Sequence, residues 1–221
     1  MVRARRLEVG EKVWKIERGR LDNLCLVYVD SGIKSGVTTA RELRNIMRPG
    51  KSGSAEEIGT WMELHLEDDP MLVIVDDFAG TGDSLVKGIR RCQDKIEKKL
   101  WRRYINEGRV SLFVMYSFPE ALDNIRKKCP GIHVVGSTVL GDELRACAEE
   151  SGLFKDAGDR RFARDVVLQL GRELYPNAPL GFGELGALVA FHNTIPNNTL
   201  PIFWSNGRVG GRAWNPIFPR P

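Results

Sequence analysis

The chain has 221 residues, enough for one domain with at most a modest extra lobe, and for a core burying roughly 70% of the unfolded surface without disulfide staples. Hydrophobic residues at 42% and charged residues at 28% exclude bulk disorder and fibrous or collagen-like structure. Thirty-three Lys and Arg against 29 Asp and Glu give +4, too mild to impose a nucleic-acid reading, and no run approaches the ~20 apolar residues that span a bilayer.

Residues 1–20 carry seven basic side chains against Glu8, Glu11 and Glu17. They read either as a contact for nucleic acid or a partner, or as a solvated terminal segment. The start, Met-Val-Arg-Ala-Arg-Arg, has no apolar stretch after it, which reads against a secretory leader. Cys25, Cys92, Cys129 and Cys147 stand far apart with no Cys-x-x-Cys pair. Neither a zinc site nor a disulfide framework is expected, and the reading is a cytoplasmic protein of a reducing compartment, with no membrane partner.

Residues 21–175 read as an α/β core. Leu24–Val29, Met71–Val75 and Val110–Met115 are short runs, apolar but for Ser111 and bounded by turn residues, which suits parallel strands covered on both faces. Ile132–Val135 is a weaker fourth. Asp30-Ser-Gly-Ile-Lys-Ser-Gly36 follows the first strand, and Gly50-Lys-Ser-Gly-Ser54 is another small-residue loop with a cation, read as a mobile lid or a plain turn. From Ser84 to about Tyr104, Leu85, Ile89, Cys92, Ile96 and Leu100 recur every three or four residues, the period of an amphipathic helix with Asp83 or Ser84 at its N-cap. Its other face holds Lys87, Arg90, Arg91, Lys95, Lys98, Lys99, Arg102 and Arg103, either a solvated face or a phosphate-backbone contact of a basic helix over 84–105. Gly141–Leu153 and Asp159–Leu174 read as helices. Residues 176–221, rich in Gly, Asn, Pro and aromatics, complete the core or form a small C-terminal hood, with a strand at Ala187–Phe191. Strands alternating with helices predict a parallel sheet with right-handed crossovers.

The most informative stretch is Val73-Ile-Val-Asp-Asp-Phe-Ala-Gly-Thr-Gly-Asp-Ser84. An apolar strand ends in two carboxylates, then a loop of small residues leads into a helix. Gly80 and Gly82 allow close backbone approach and positive φ. Loop amides and the positive end of the helix make an anion cradle, to which Thr81 and Ser84 can add hydroxyls. Carboxylates do not themselves hold phosphate, so Asp76 and Asp77 imply sugar hydroxyls, Mg²⁺ or developing positive charge beside it. The pattern is neither a Walker loop nor a dinucleotide fingerprint.

Val-Asp-Asp-Phe-Ala-Gly-Thr-Gly-Asp-Ser resembles the 5-phosphoribosyl 1-diphosphate (PRPP) motif of type I phosphoribosyltransferases. The resemblance implies a parallel sheet flanked by helices, with a hood over its C-terminal edge. It implies that Asp76 and Asp77 serve catalysis by holding the ribose 2′- and 3′-hydroxyls. Ala79, Gly80, Thr81, Gly82, Asp83 and Ser84 would wrap the 5′-phosphate. Ser31, Gly32, Lys34, Ser35 and Gly36 would form the diphosphate loop, with Mg²⁺ arriving with PRPP and no dedicated metal site. Two departures stand out: Gly80 replaces the carboxylate that many members use as general base, and Asp83 stands where Gly is common.

The C-terminal run, with Asn193-Thr-Ile-Pro-Asn-Asn-Thr-Leu-Pro and Trp204, is similar to the phosphoribosyltransferase-like effectors of bacterial anti-phage systems, including some beside retron reverse transcriptases. That implies a toxin-like effector acting with protein partners of a defence complex. It would transfer ribose 5-phosphate or cleave a glycosidic bond, or else sense PRPP or a nucleotide without chemistry, or serve as a nucleic-acid-associated assembly component of the same system. Asn193, Asn197 and Asn198 suit a base edge or a ribose, and Trp204 or Phe191 a stacked ring. Equally, the asparagines satisfy loop backbone and the aromatics fill core. His192 alone reads as structural.

Overall fold

The computed structural model describes residues 24–28, 41, 43–45, 51–54, 70–191 and 194–219. The basic segment 1–20 lies outside these residues. The described part is built on a five-stranded sheet in the order β2-β1-β3-β4-β5, where β1 is Leu24–Tyr28, β2 Lys51–Ser54, β3 Met71–Ala79, β4 Val110–Ser117 and β5 His133–Val139. β1 is parallel to both neighbours, in register Leu24 with Met71 and Cys25 with Lys51. The β3–β4 and β4–β5 connections run through helices, as parallel neighbours require. The α/β class and parallel sheet are those read from the sequence.

Each of the three strong apolar runs became a strand, because residues such as Leu26, Ile74 and Leu112 lose nearly all exposure in the sheet. β3 runs four residues past the expected end, through Asp76 and Asp77 to Ala79. Phe78 explains this: its ring meets Phe118 edge-on at 6.2 Å and Phe191 at 5.9 Å, while the Phe118 N–H donates to the Ala79 carbonyl.

The long amphipathic helix is two helices, α1 Asp83–Lys95 and α2 Lys98–Asn106. Glu97 breaks the path with ψ 130°, yet the apolar spacing from Ile96 to Leu100 stays at four, so periodicity alone does not register the break. α3, Pro119–Lys128, was not foreseen. α4, Ala157–Leu174, starts where the Asp156 carboxylate accepts from the amides of Gly158 and Asp159.

Three expectations fail. Of the loop read over Gly50–Ser54, the described residues Lys51–Ser54 are neither lid nor turn but strand β2, paired along β1. Gly141–Leu153 holds only a 3₁₀ turn at Asp142–Leu144, after which Arg145 is extended and bridges Ala187. Ala187–Phe191 is not a strand either: Ala187 makes isolated bridges to Arg145 and Thr199, and the remainder packs as a loop. The chain closes with a hairpin, β6 Gly207–Val209 and β7 Arg212–Trp214, turned by Gly210 and Gly211, both at positive φ.

The described residues up to Asp77, with Ser84–Val114 and Ile125–Val135, form one compact unit; Phe78–Asp83, Met115–Asn124 and the residues from Gly136 onward form another. The first has a core of Leu24, Leu26 and Val75 with Val73 and Phe113 packed against it. The second has two clusters, one around Phe118, Leu140, Ala187 and Val189, the other around Ala146, Leu180 and Leu200. Among the described residues no helix is long and apolar enough to cross a membrane.

Candidate functional site

The two carboxylates leave β3 half-buried, and the Asp77 amide donates to Asp76 Oδ1 at 3.0 Å, fixing the first side chain against the backbone of the second. Ala79, Gly80 and Gly82 are buried, and Gly82 has φ +78°, which a side chain would resist. Helix α1 starts at Asp83, so the loop amides and the helix's positive end succeed one another within five residues.

Asp83 is built into this loop. Its carboxylate accepts from the Thr81 hydroxyl at 3.2 Å and from Asn124 Nδ2 at 3.1 Å; the same Asn124 amide donates to the Thr81 carbonyl at 2.7 Å. Asn124 thus braces the loop from α3. Sequence reasoning missed it because the helix itself was missed. Thr81 spends its hydroxyl proton on Asp83, and Ser84 is exposed.

Gly80 has a specific neighbour. A Cβ there would lie 2.3 to 2.5 Å from the Cγ, Oδ1 and Nδ2 of Asn198. The position where the resemblance leads one to expect a carboxylate is filled, across more than a hundred residues of chain, by an asparagine amide. Asn198 is buried, and its Nδ2 donates to the Phe182 carbonyl at 2.8 Å. Gly183 abuts the loop as well: its Cβ would lie 2.3 Å from Thr81 Cγ2. Two residues of the C-terminal segment therefore pack directly on the candidate phosphate loop.

Next to Gly183 stands Glu184, exposed and at φ +54°, the one non-glycine with positive φ among the described residues. Such a conformation costs about 1–2 kcal/mol. Nothing in the spacing of Gly181-Phe-Gly-Glu-Leu-Gly186 marks it in the sequence.

The remaining candidates fall out as follows. Asn197 is exposed, and its carbonyl accepts from the Phe182 amide. Trp204 is buried, donates its indole N–H to the Thr199 carbonyl at 2.8 Å and meets Tyr175 edge-on at 5.2 Å. Phe191 lies against Tyr116 at 5.4 Å. The contacts of Asn198 and Trp204 are those of the structural alternative, in which asparagines satisfy loop backbone and aromatics fill core. Asn193, His192 and the diphosphate-loop residues Ser31, Gly32, Lys34, Ser35 and Gly36 lie outside the described residues.

Among the described residues no three His, Cys, Asp or Glu gather to hold a metal ion. Burial pushes the thiols of Cys25 and Cys92 up to about 12, far from an activated nucleophile.

A family model, PRTase-CE, matches residues 9–220. No protein of curated function matches the sequence. Solved structures with remote similarity include the AQ2163 protein from Aquifex aeolicus, at 14% identity over 54% of this chain with a TM-score of 0.37. Two more are orotate phosphoribosyltransferase from Aeropyrum pernix, at 20% over 62% with 0.33, and purine phosphoribosyltransferase from Pyrococcus horikoshii, at 13% over 58% with 0.32. The aligned region spans 56% of the Aquifex protein and 76% of each of the others.

Proposed function

The chain belongs to the PRTase-CE family, and from that premise we propose that it binds PRPP, or a nucleotide through its 5′-phosphate, and transfers ribose 5-phosphate or cleaves a glycosidic bond. One observation carries the reading: paired carboxylates at the end of β3 run without interruption through buried glycines into the N-terminus of α1. Asp76 and Asp77 hold the ribose hydroxyls and offset positive charge as the anomeric C–O bond breaks. The electron pair leaves on the diphosphate, the acceptor's nitrogen or oxygen bonds to the anomeric carbon, and the acceptor's proton passes to Glu184, the exposed carboxylate next to Gly183. Loop amides from Gly80 to Ser84 anchor the 5′-phosphate. Catalysis of this kind is largely positioning and preorganised charge. In this reading Mg²⁺ arrives with the substrate, bound to its diphosphate.

A second reading, a sensor that binds without chemistry, is favoured by the Asn198 amide standing where a base would be. Glu184, beside the loop, separates the two. Diphosphate release from PRPP, with acceptors drawn from bases and nucleosides, that falls in Glu184→Gln and Asp77→Asn supports transfer. PRPP binding without release supports the sensor, and binding of neither PRPP nor nucleoside 5′-phosphates sinks both. The setting we propose, an anti-phage effector with a reverse transcriptase partner, rests on the Asn-Thr-x-Pro-Asn-Asn-Thr-Leu-Pro signature. Co-expression that protects cells from phage only with Asp76 and Asp77 intact would support it.

A further inference from the structure

Away from the loop, the first unit carries a groove of about 340 Å³ between α1, α2 and the segment after α3. Ile89, Trp101 and Ile105 give it an apolar floor, and Arg90, Arg102 and Lys128 stand around it; none of the residues lining it is acidic. Those three cations are part of a larger field. All eight Lys and Arg of α1 and α2 are exposed, as are Arg126, Lys127 and Lys128 at the end of α3. Basic residues at i, i+4 and i+8, such as Lys87, Arg91 and Lys95, line up along one side of α1 over roughly 12 Å of its length.

We propose that this groove binds single-stranded nucleic acid, seating a base on the apolar floor while Arg90, Arg102 and Lys128 hold the flanking phosphates. A nucleotide unit is half planar ring and half anion, and the groove presents both halves. Guanidinium groups match phosphate oxygens bidentately and stack on base faces, which makes two arginines at the rim more specific than two lysines. An acidic peptide supplies no ring for the floor, and an anionic membrane meets a surface rather than filling a recess. Stacking contributes about 1–3 kcal/mol per base with little sequence preference. The phosphate term makes the affinity salt-dependent, with a slope near −0.7 per neutralised phosphate, or about −2 for three contacts.

The test is fluorescence anisotropy of the full chain with fluorescein-labelled mixed-sequence 20-mers of single-stranded RNA and DNA, repeated across salt concentrations. The triple variant Arg90→Glu/Arg102→Glu/Lys128→Glu loses at least tenfold in affinity and flattens the salt slope. Lys155→Glu/Arg161→Glu/Arg164→Glu, on exposed positions in and just before α4, changes affinity less than twofold. Should the triple variant fail to fold, Arg102→Glu alone loses at least threefold, with thermal unfolding reporting its integrity. Equal loss in both triple variants overturns the proposal, as does equally tight binding of polyglutamate or of phosphatidylserine vesicles. PRPP does not compete with the oligonucleotide, so this result stands or falls apart from the phosphate-loop reading.

Discussion

Replacing Gly80 by alanine sets two physical arguments against each other. Gly80 is not among the glycines at positive φ, so a backbone argument alone predicts a gain of about 0.4–1 kcal/mol from the stiffer unfolded chain. The structure predicts a loss. The new Cβ would lie 2.3 Å from Asn198 Cγ, where carbon atoms ordinarily stay about 3.5–4.0 Å apart. Asn198 is 5% exposed and cannot swing aside without breaking its bond to the Phe182 carbonyl. Overpacking costs about 1–3 kcal/mol, and so does an orphaned part-buried acceptor; the chain takes the cheaper route, near 2 kcal/mol. At about 2–4 °C per kcal/mol for a chain of this size, Tm falls by roughly 4–8 °C. Asn198→Ala removes the obstacle, so Gly80→Ala becomes neutral or slightly stabilising in that background, a coupling of about 2 kcal/mol. Thermal and urea unfolding of the four proteins measures the cycle. A rise in Tm for Gly80→Ala alone, or the same loss in both backgrounds, would refute the packing of Asn198 on the loop.

Three further outcomes are expected. Gly171→Ala lowers Tm by at least about 6 °C although alanine is the better helix former, because its Cβ would meet the Pro179 carbonyl oxygen at 2.0 Å and only backbone movement can relieve it. Trp204→Phe costs about 1 kcal/mol for the indole bond to Thr199 but leaves PRPP affinity unchanged in titration; a tenfold loss of affinity would restore Trp204 to a base-stacking role. Stability in urea falls as pH rises from about 9 towards 12. The unfolded chain then releases the protons of Cys25 and Cys92, which the buried thiols keep, on the order of 1.4 kcal/mol per pH unit for each. Replacing both by Ala flattens that decline.

The parts of the fold legible in the sequence were those where one local property dominates. β1, β3 and β4 announced themselves through the apolar runs at their centres, such as Leu24–Val27 and Leu72–Val75, which the sheet largely buries. α4 was legible from its periodicity and its stop before Pro176. β2, Lys-Ser-Gly-Ser, was not, since two serines, a glycine and a lysine become a strand only through pairing with β1. α3 begins at a proline and carries few apolar residues, so its pattern was thin. At the candidate site, the carboxylate pair and the glycines were legible as chemistry. Asn124 and Gly183 were not, nor was the packing of Asn198 on Gly80, because each meets the loop from a distant part of the chain. The absent carboxylate at Gly80 looked like a bare deficiency in one dimension; in three it is a space already taken.

The most direct test of the central claim is calorimetric titration of the protein with PRPP in the presence and absence of Mg²⁺, beside Asp76→Asn/Asp77→Asn. The account predicts micromolar, Mg²⁺-strengthened binding that the double variant loses while unfolding at an unchanged temperature. Absence of heat with the native protein, or equal affinity in the variant, would contradict the assignment of β3, its carboxylates and the loop to α1 as a PRPP site.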